Sequence, residues 1–246
     1  MSLLARRALA ELAGTAFLVM AVVGSGIMAS RLSPNDPGLA MLENSIATGA
    51  ALVALIIALQ PVSASFNPVV TLVEKALGLL DWRTASVLIV TQFVGGLAGT
   101  VIANAMFGLD AAALSTHART GPALWLGEIV ATVGLLLVVF GTVRSGRADR
   151  VAFAVGGYIA AAYWFTSSTS FANPAVTLAR TITDTFAGIA PASAPGFVLA
   201  QLIGGALGFM LVCLLFPAPA PGPSVASALS AAPTPDRKVF HEPRNS

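Results

Sequence analysis

Residues 171–180 read FANPAVTLAR, and residues 65–74 read SFNPVVTLVE. In each, a polar asparagine stands before a proline inside an otherwise apolar run. Proline lacks an N–H and fits the first turn of a helix, where none is needed. Asparagine is a good N-cap, because its side-chain oxygen accepts a backbone N–H. Asn67-Pro68 and Asn173-Pro174 therefore read as the starts of two short helices, over about 67–79 and 173–186. The stretches before them, with Ser63, Ala64, Ser65 and Thr169, read as non-helical backbone. At membrane depth such backbone survives only where protein buries it or it lines a watery cavity.

A membrane setting follows from composition. The chain of 246 residues is 56% apolar and 10% charged, whereas a soluble domain carries about a quarter charged residues. Lipid is the natural solvent for such a surface. The formal charge of +2 and the absence of a basic run give no sign of nucleic acid as a partner. Cys213 is the single cysteine and reads as a packing residue. Nothing in the sequence groups as a catalytic constellation, a metal-ligand cluster or a phosphate loop, so neither an enzyme nor a cofactor is expected.

A spanning helix needs about 20 apolar residues. Six segments qualify, at about 8–30, 42–60, 83–107, 123–143, 150–167 and 196–216. The Pro-, Ala- and Ser-rich stretch 217–246 reads as a disordered cytoplasmic tail. Placing both termini inside puts Arg6, Arg7, Lys75, Arg83, Arg144, Arg147, Arg150, Arg237, Lys238 and Arg244 on the cytoplasmic side. Only Arg31, Arg119 and Arg180 then fall outside, the asymmetry the positive-inside rule describes. Each short segment must then enter and leave on one face.

The chain also repeats itself. ELAGT (11–15) matches EIVAT (128–132), NPVVTL (67–72) matches NPAVTL (173–178), and QFVGGLAG (92–99) matches QLIGGALG (201–208). The matches keep their order in two halves of three spans, and an odd number of spans forces opposite orientations. Such inverted repeats occur in channels and transporters. Half-helices of about 10 residues are about 15 Å long, so two entering from opposite faces meet near mid-membrane. Each brings about half a positive charge at its N-terminus, and the junction repels cations. While each asparagine oxygen caps its helix, the NH₂ is free to donate into a lumen. The glycine pairs read as close helix contacts, and His117 and Arg119 as residues of a solvated outer loop.

On both Asn-Pro motifs, both membrane glutamates and the two-fold repeat, residues 8–216 resemble the aquaporin, or major intrinsic protein, family. The resemblance implies an all-α membrane protein with six transmembrane helices and two re-entrant half-helices. The channel domain spans 1–216, with repeats over about 8–107 and 123–216. It also implies one pore per protomer, a homotetramer in the bilayer of the cell inner membrane, and small neutral solutes and water as the partners. The first motif, Asn67-Pro68-Val69, departs from the family's usual alanine; the second, Asn173-Pro174-Ala175, keeps it. Glu11 and Glu128 admit two readings, proton coupling or acceptors for backbone in the pore loops. The symmetric placement and the resemblance favour the structural one.

An arginine usually follows the family's second motif directly. Here Val176 takes that place, and Arg180, one turn on, is expected at the outer mouth. Family spacing implies Ala47, Ala161 and Ser170 as the other constriction positions, or Thr48 or Ala160 if the register slips by one. A filter of Ala47, Ala161, Ser170 and Val176 would be wide and weakly polar. The stretches VVGSGIMASRL, NSIATGAALVALI, STSFANPAVTLAR and FAGIAPAS resemble a bacterial aquaglyceroporin subgroup associated with arsenic resistance. That implies a passive channel for glycerol-like polyols, arsenious acid or methylated arsenicals, and also water. The alternatives are an ordinary water channel and a proton-coupled secondary transporter.

Overall fold

The computed structural model describes residues 1–216; the tail from Pro217 lies outside the described residues. Eight α-helices and no strand occur among them: α1 Leu3–Leu32, α2 Pro37–Leu59, α3 Pro68–Ala76, α4 Trp82–Met106, α5 Pro122–Arg144, α6 Val151–Phe165, α7 Pro174–Ala179 and α8 Ala194–Leu215. Five of these, α1, α2, α4, α5 and α8, are long and apolar enough to cross a membrane. The sixth expected span, α6, is shorter, because the chain leaves the helix at Thr166 to enter the loop before α7. A 3₁₀ turn, Ala148–Arg150, extends it at its start. The second half-helix is likewise shorter than expected. After α7 a 3₁₀ turn over Arg180–Ile182 ends it, and Ile189 N–H closes back onto the Arg180 carbonyl.

The repeat governs the packing. In the first half α1 lies along α2 and α4; in the second α5 lies along α6 and α8. The halves join where α2 meets α6, and where each half-helix packs on the last long helix of the other half, α3 on α8 and α7 on α4. Glycines make these approaches possible. A Cβ on Gly49 would fall 2.8 Å from the Gly156 carbonyl oxygen, and one on Gly204 2.8 Å from that of Ile129. Large apolar side chains such as Phe17, Phe153 and Leu214 face outward, as does Cys213. Burying polar groups among helices and leaving apolar ones outside is the pattern a bilayer demands.

Gly205 explains how the first motif tolerates its valine. A Cβ there would lie 2.7 Å from Val69 Cγ1, so the bare α8 backbone supplies the space the extra methyls fill. At the equivalent place Gly96 faces Ala175, with a Cβ 3.2 Å from the Ala175 carbonyl oxygen. Overpacking a filled site costs about 1–3 kcal/mol. Gly205→Ala is therefore expected to destabilise the protein by that amount in a thermal-unfolding comparison. Val69→Ala in the same chain is expected to restore it, and failure of the double substitution to do so would separate the two residues.

Candidate solute pore

Each half-helix begins as its sequence dictates. Asn67 and Asn173 have extended backbones, with φ of −151° and −157°, and cap α3 and α7. Asn67 Oδ1 accepts the Val69 N–H at 2.9 Å; Asn173 Oδ1 accepts those of Ala175 and Val176 at 2.9 and 3.2 Å. The amide groups also join the two motifs. Asn67 Nδ2 donates to the Ala172 carbonyl at 2.7 Å, and Asn173 Nδ2 to that of Phe66 at 2.8 Å. An NH₂ has two protons, so one braces the opposite loop and the second is left for the lumen. Phe66 and Ala172 reach their positions with φ of 48° each, a left-handed region that residues other than glycine rarely adopt. Strain of this kind persists where the surroundings over-determine it.

Those surroundings are the two glutamates. Both are fully buried. Glu11 accepts four hydrogen bonds: Ser63 Oγ at 2.6 Å, the N–H groups of Ser65 and Phe66 at 2.8 and 2.7 Å, and Gln92 Nε2 at 2.8 Å. Glu128 accepts Phe171 and Ala172 N–H at 2.9 and 2.8 Å and Gln201 Nε2 at 2.6 Å. Each glutamine's amide also donates to a half-helix threonine, Gln92 to Thr71 at 2.9 Å and Gln201 to Thr177 at 2.8 Å. Gln92, Gln201, Thr71 and Thr177 complete the scaffold and were not singled out from sequence. Their signal was a polar residue heading the repeated QFVGGLAG and QLIGGALG stretches.

Between the motifs and the helices lies a cavity of about 310 Å³. Leu52, Ile56, Leu135, Val155 and Ile159 give it an apolar wall; Ser63, Ser65, Asn67, Ser170 and Asn173 give it a polar one, and Ala64 lines it between the two serines. Pro68, Pro174, Val69 and Ala175 are buried behind it. Val176 lines it, and so does Arg180. Arg180 is 3% exposed, its Nε donates to the Ala187 carbonyl, and its guanidinium stands 3.5 Å over the Phe171 ring. It is thus a wall residue, not one confined to the mouth. Thr169 is absent from the wall; it holds a left-handed turn with φ of 62°.

Two constriction positions need correcting. Ala161 is exposed on the outside of the bundle, and Ala47 does not line the cavity. Thr48 and Tyr163 do, with their hydroxyls 3.3 Å apart. On α2 the register slips by one residue, to Thr48; on α6 it slips by two, to Tyr163, in the direction opposite to Ala160. Thr48, Tyr163, Ser170, Val176 and Arg180 thus share the cavity wall, and an aromatic ring stands where an alanine was expected. Arg119 also differs from expectation. It is half-buried, donates to the carbonyls of Gly188 and Phe186 at 2.8 and 3.2 Å, and lies 5.3 Å over the Phe171 ring. His117 is exposed, 3.9 Å from Asp184. Thr116 donates its N–H and hydroxyl to Asp184 and holds that carboxyl below the usual carboxylate range.

Five membrane-length helices, a shorter sixth and two mid-molecule half-helices, arranged as an inverted repeat around a lumen, define a membrane channel. Residues 1–152 match the family described as "MIP: Major intrinsic protein", and the chain belongs to that family of channels for water and small solutes. The aquaglyceroporin AqpS of Rhizobium meliloti (strain 1021) is 50% identical over 210 residues, covering 85% of this chain and 89% of its own. The probable aquaporin NIP7-1 of Arabidopsis thaliana is 29% identical over 129 residues, 52% of this chain and 46% of its own. The X-ray structure of the aquaglyceroporin from Plasmodium falciparum superposes with a TM-score of 0.62 at 17% identity, covering 87% of this chain and 95% of that one.

Proposed function

We propose that the cavity conducts small uncharged polyhydroxy solutes larger than water, namely glycerol-like polyols, arsenious acid or methylated arsenicals, along with water. The observation that carries this reading is Val176. It occupies the wall beside Asn173-Pro174-Ala175, where a long cationic side chain would narrow the lumen. One wall is apolar and suits a carbon or methyl face. The other offers polar side chains, among them the amides of Asn67 and Asn173, to hydroxyl groups. Resemblance to the arsenic-associated subgroup and the likeness to AqpS support the solute class. We place both termini in the cytoplasm and the channel in the cell inner membrane, on the distribution of basic residues. The homotetramer rests on the family resemblance.

The transporter alternative assigns proton coupling to one of the two membrane glutamates. Glu11 and Glu128 are instead occupied by backbone and glutamine donors. Stopped-flow light scattering on proteoliposomes tests the reading. Glycerol and arsenious acid are expected to enter without saturation and without an ion gradient; water flux alone would leave an ordinary water channel, and flux that needs a proton gradient would leave a transporter. Tyr163 adds a graded check. Tyr163→Ala removes the ring and its hydroxyl contact to Thr48, and is expected to raise glycerol flux more than water flux. Equal fluxes before and after would remove Tyr163 from the filter.

A further inference from the structure

The two half-helices carry opposite charges at equivalent places. Seven residues after Asn67 stands Glu74, and seven after Asn173 stands Arg180. Both line the lumen, and Arg7 joins Glu74 on its wall. Because α3 and α7 run from the central motifs in opposite directions, the acid and the arginine mark opposite ends. Glu74 is the one acidic side chain on the wall among the described residues. Its Oε2 accepts the Ser65 hydroxyl at 2.9 Å; among the described residues Oε1 has no hydrogen-bond donor and Arg7 forms no ion pair with it.

The other charges and dipoles on the path are positive. Each half-helix brings about half a positive charge to the centre. Besides its stacking on Phe171, Arg180 donates only through Nε, so its terminal nitrogens have no hydrogen-bond acceptor among the described residues. Such a lining turns cations away, but a wall of one sign concentrates counter-ions. Val176 leaves its own place on the wall, one turn before Arg180, without a long side chain, so size alone does not exclude a small anion beside Asn173. We infer that Glu74 is the channel's anion barrier: its carboxylate closes to anions a lumen that Arg180 and the helix termini close to cations. The inference rests on this cavity being the conduction path.

Purified full-length channel in planar bilayers under a nitrate gradient gives anion permeability from the reversal potential; the same protein in proteoliposomes gives glycerol flux. The parent is expected to pass glycerol and exclude nitrate. Glu74→Gln keeps an oxygen to accept the Ser65 hydroxyl, so the local structure survives while the charge is lost. Nitrate permeability is expected to rise about a hundredfold, the effect of one charge a few ångströms from the path at an intermediate dielectric, with glycerol flux retained. Glu74→Asp keeps the charge and stays closed to nitrate. Glu74→Gln that passes glycerol yet excludes nitrate overturns the inference. If Glu74→Gln does not fold, the smaller Glu74→Ser decides by the same two measurements. A parent without glycerol flux overturns the conduction path itself, and the inference with it.

Discussion

Replacing Glu11 with leucine is expected to abolish folding of the channel. Leucine offers no acceptor to the hydroxyl of Ser63, the N–H groups of Ser65 and Phe66, or the amide of Gln92, all of which converge on this one carboxylate. A buried donor left unsatisfied costs about 1–3 kcal/mol. Four of them amount to about 4–12 kcal/mol, against a total stability of about 5–15 kcal/mol. The loop holding Phe66 at a left-handed φ of 48° loses its anchor at the same moment. The measurement is the yield of monodisperse protein from detergent-solubilised membranes, with thermal unfolding of whatever is recovered. Glu11→Gln keeps one acceptor oxygen and is expected to fall between parent and leucine. A Glu11→Leu protein with parental yield and melting temperature would mean that these donors find other partners.

The second large effect belongs to Val176→Arg. The substitution puts a long side chain with a five-donor fork into the wall next to Asn173, one turn before the guanidinium of Arg180 and across from Thr48 and Tyr163. Flux of glycerol and arsenious acid is expected to fall more than tenfold, since about 1.4 kcal/mol at the barrier already gives that factor. Water is smaller than the narrowed gap and loses less. Parent and variant are compared by stopped-flow at matched protein density. If both solutes pass Val176→Arg as fast as the parent, position 176 lies off the path.

What the sequence revealed depended on how locally each feature is written. The Asn-Pro caps need only two adjacent residues and the physics of a helix start, and the backbone follows them at both motifs. The glutamates could be recognised because a carboxylate in an apolar helix demands donors, and irregular backbone nearby supplies them. The filter was harder. Counting back from Asn173 to α6 crosses residues 166–173, where Thr169, Ser170 and Ala172 have positive φ. Such a stretch does not preserve helical phase, so the wall residue is Tyr163 and Ala161 turns outward. On α2 the same counting crosses the shorter loop 60–66 and errs by one, to Thr48. Arg119 is in a loop as expected, but its burial could not be read from sequence, because its partners are carbonyls of Phe186 and Gly188, which carry no side-chain signature.

The crossed amide bonds at the centre also impose an order on biosynthesis. Asn67 needs the carbonyl of Ala172, and Phe66 needs the amide of Asn173. Ribosomes add about 5–20 residues per second, so the first motif is made ~5–20 s before its counterpart exists. During that interval the nascent first half carries an unmatched donor and acceptor at the depth where lipid tolerates them least. Until the second half arrives, that donor and acceptor need other partners. Only with the second half present can the two loops satisfy each other.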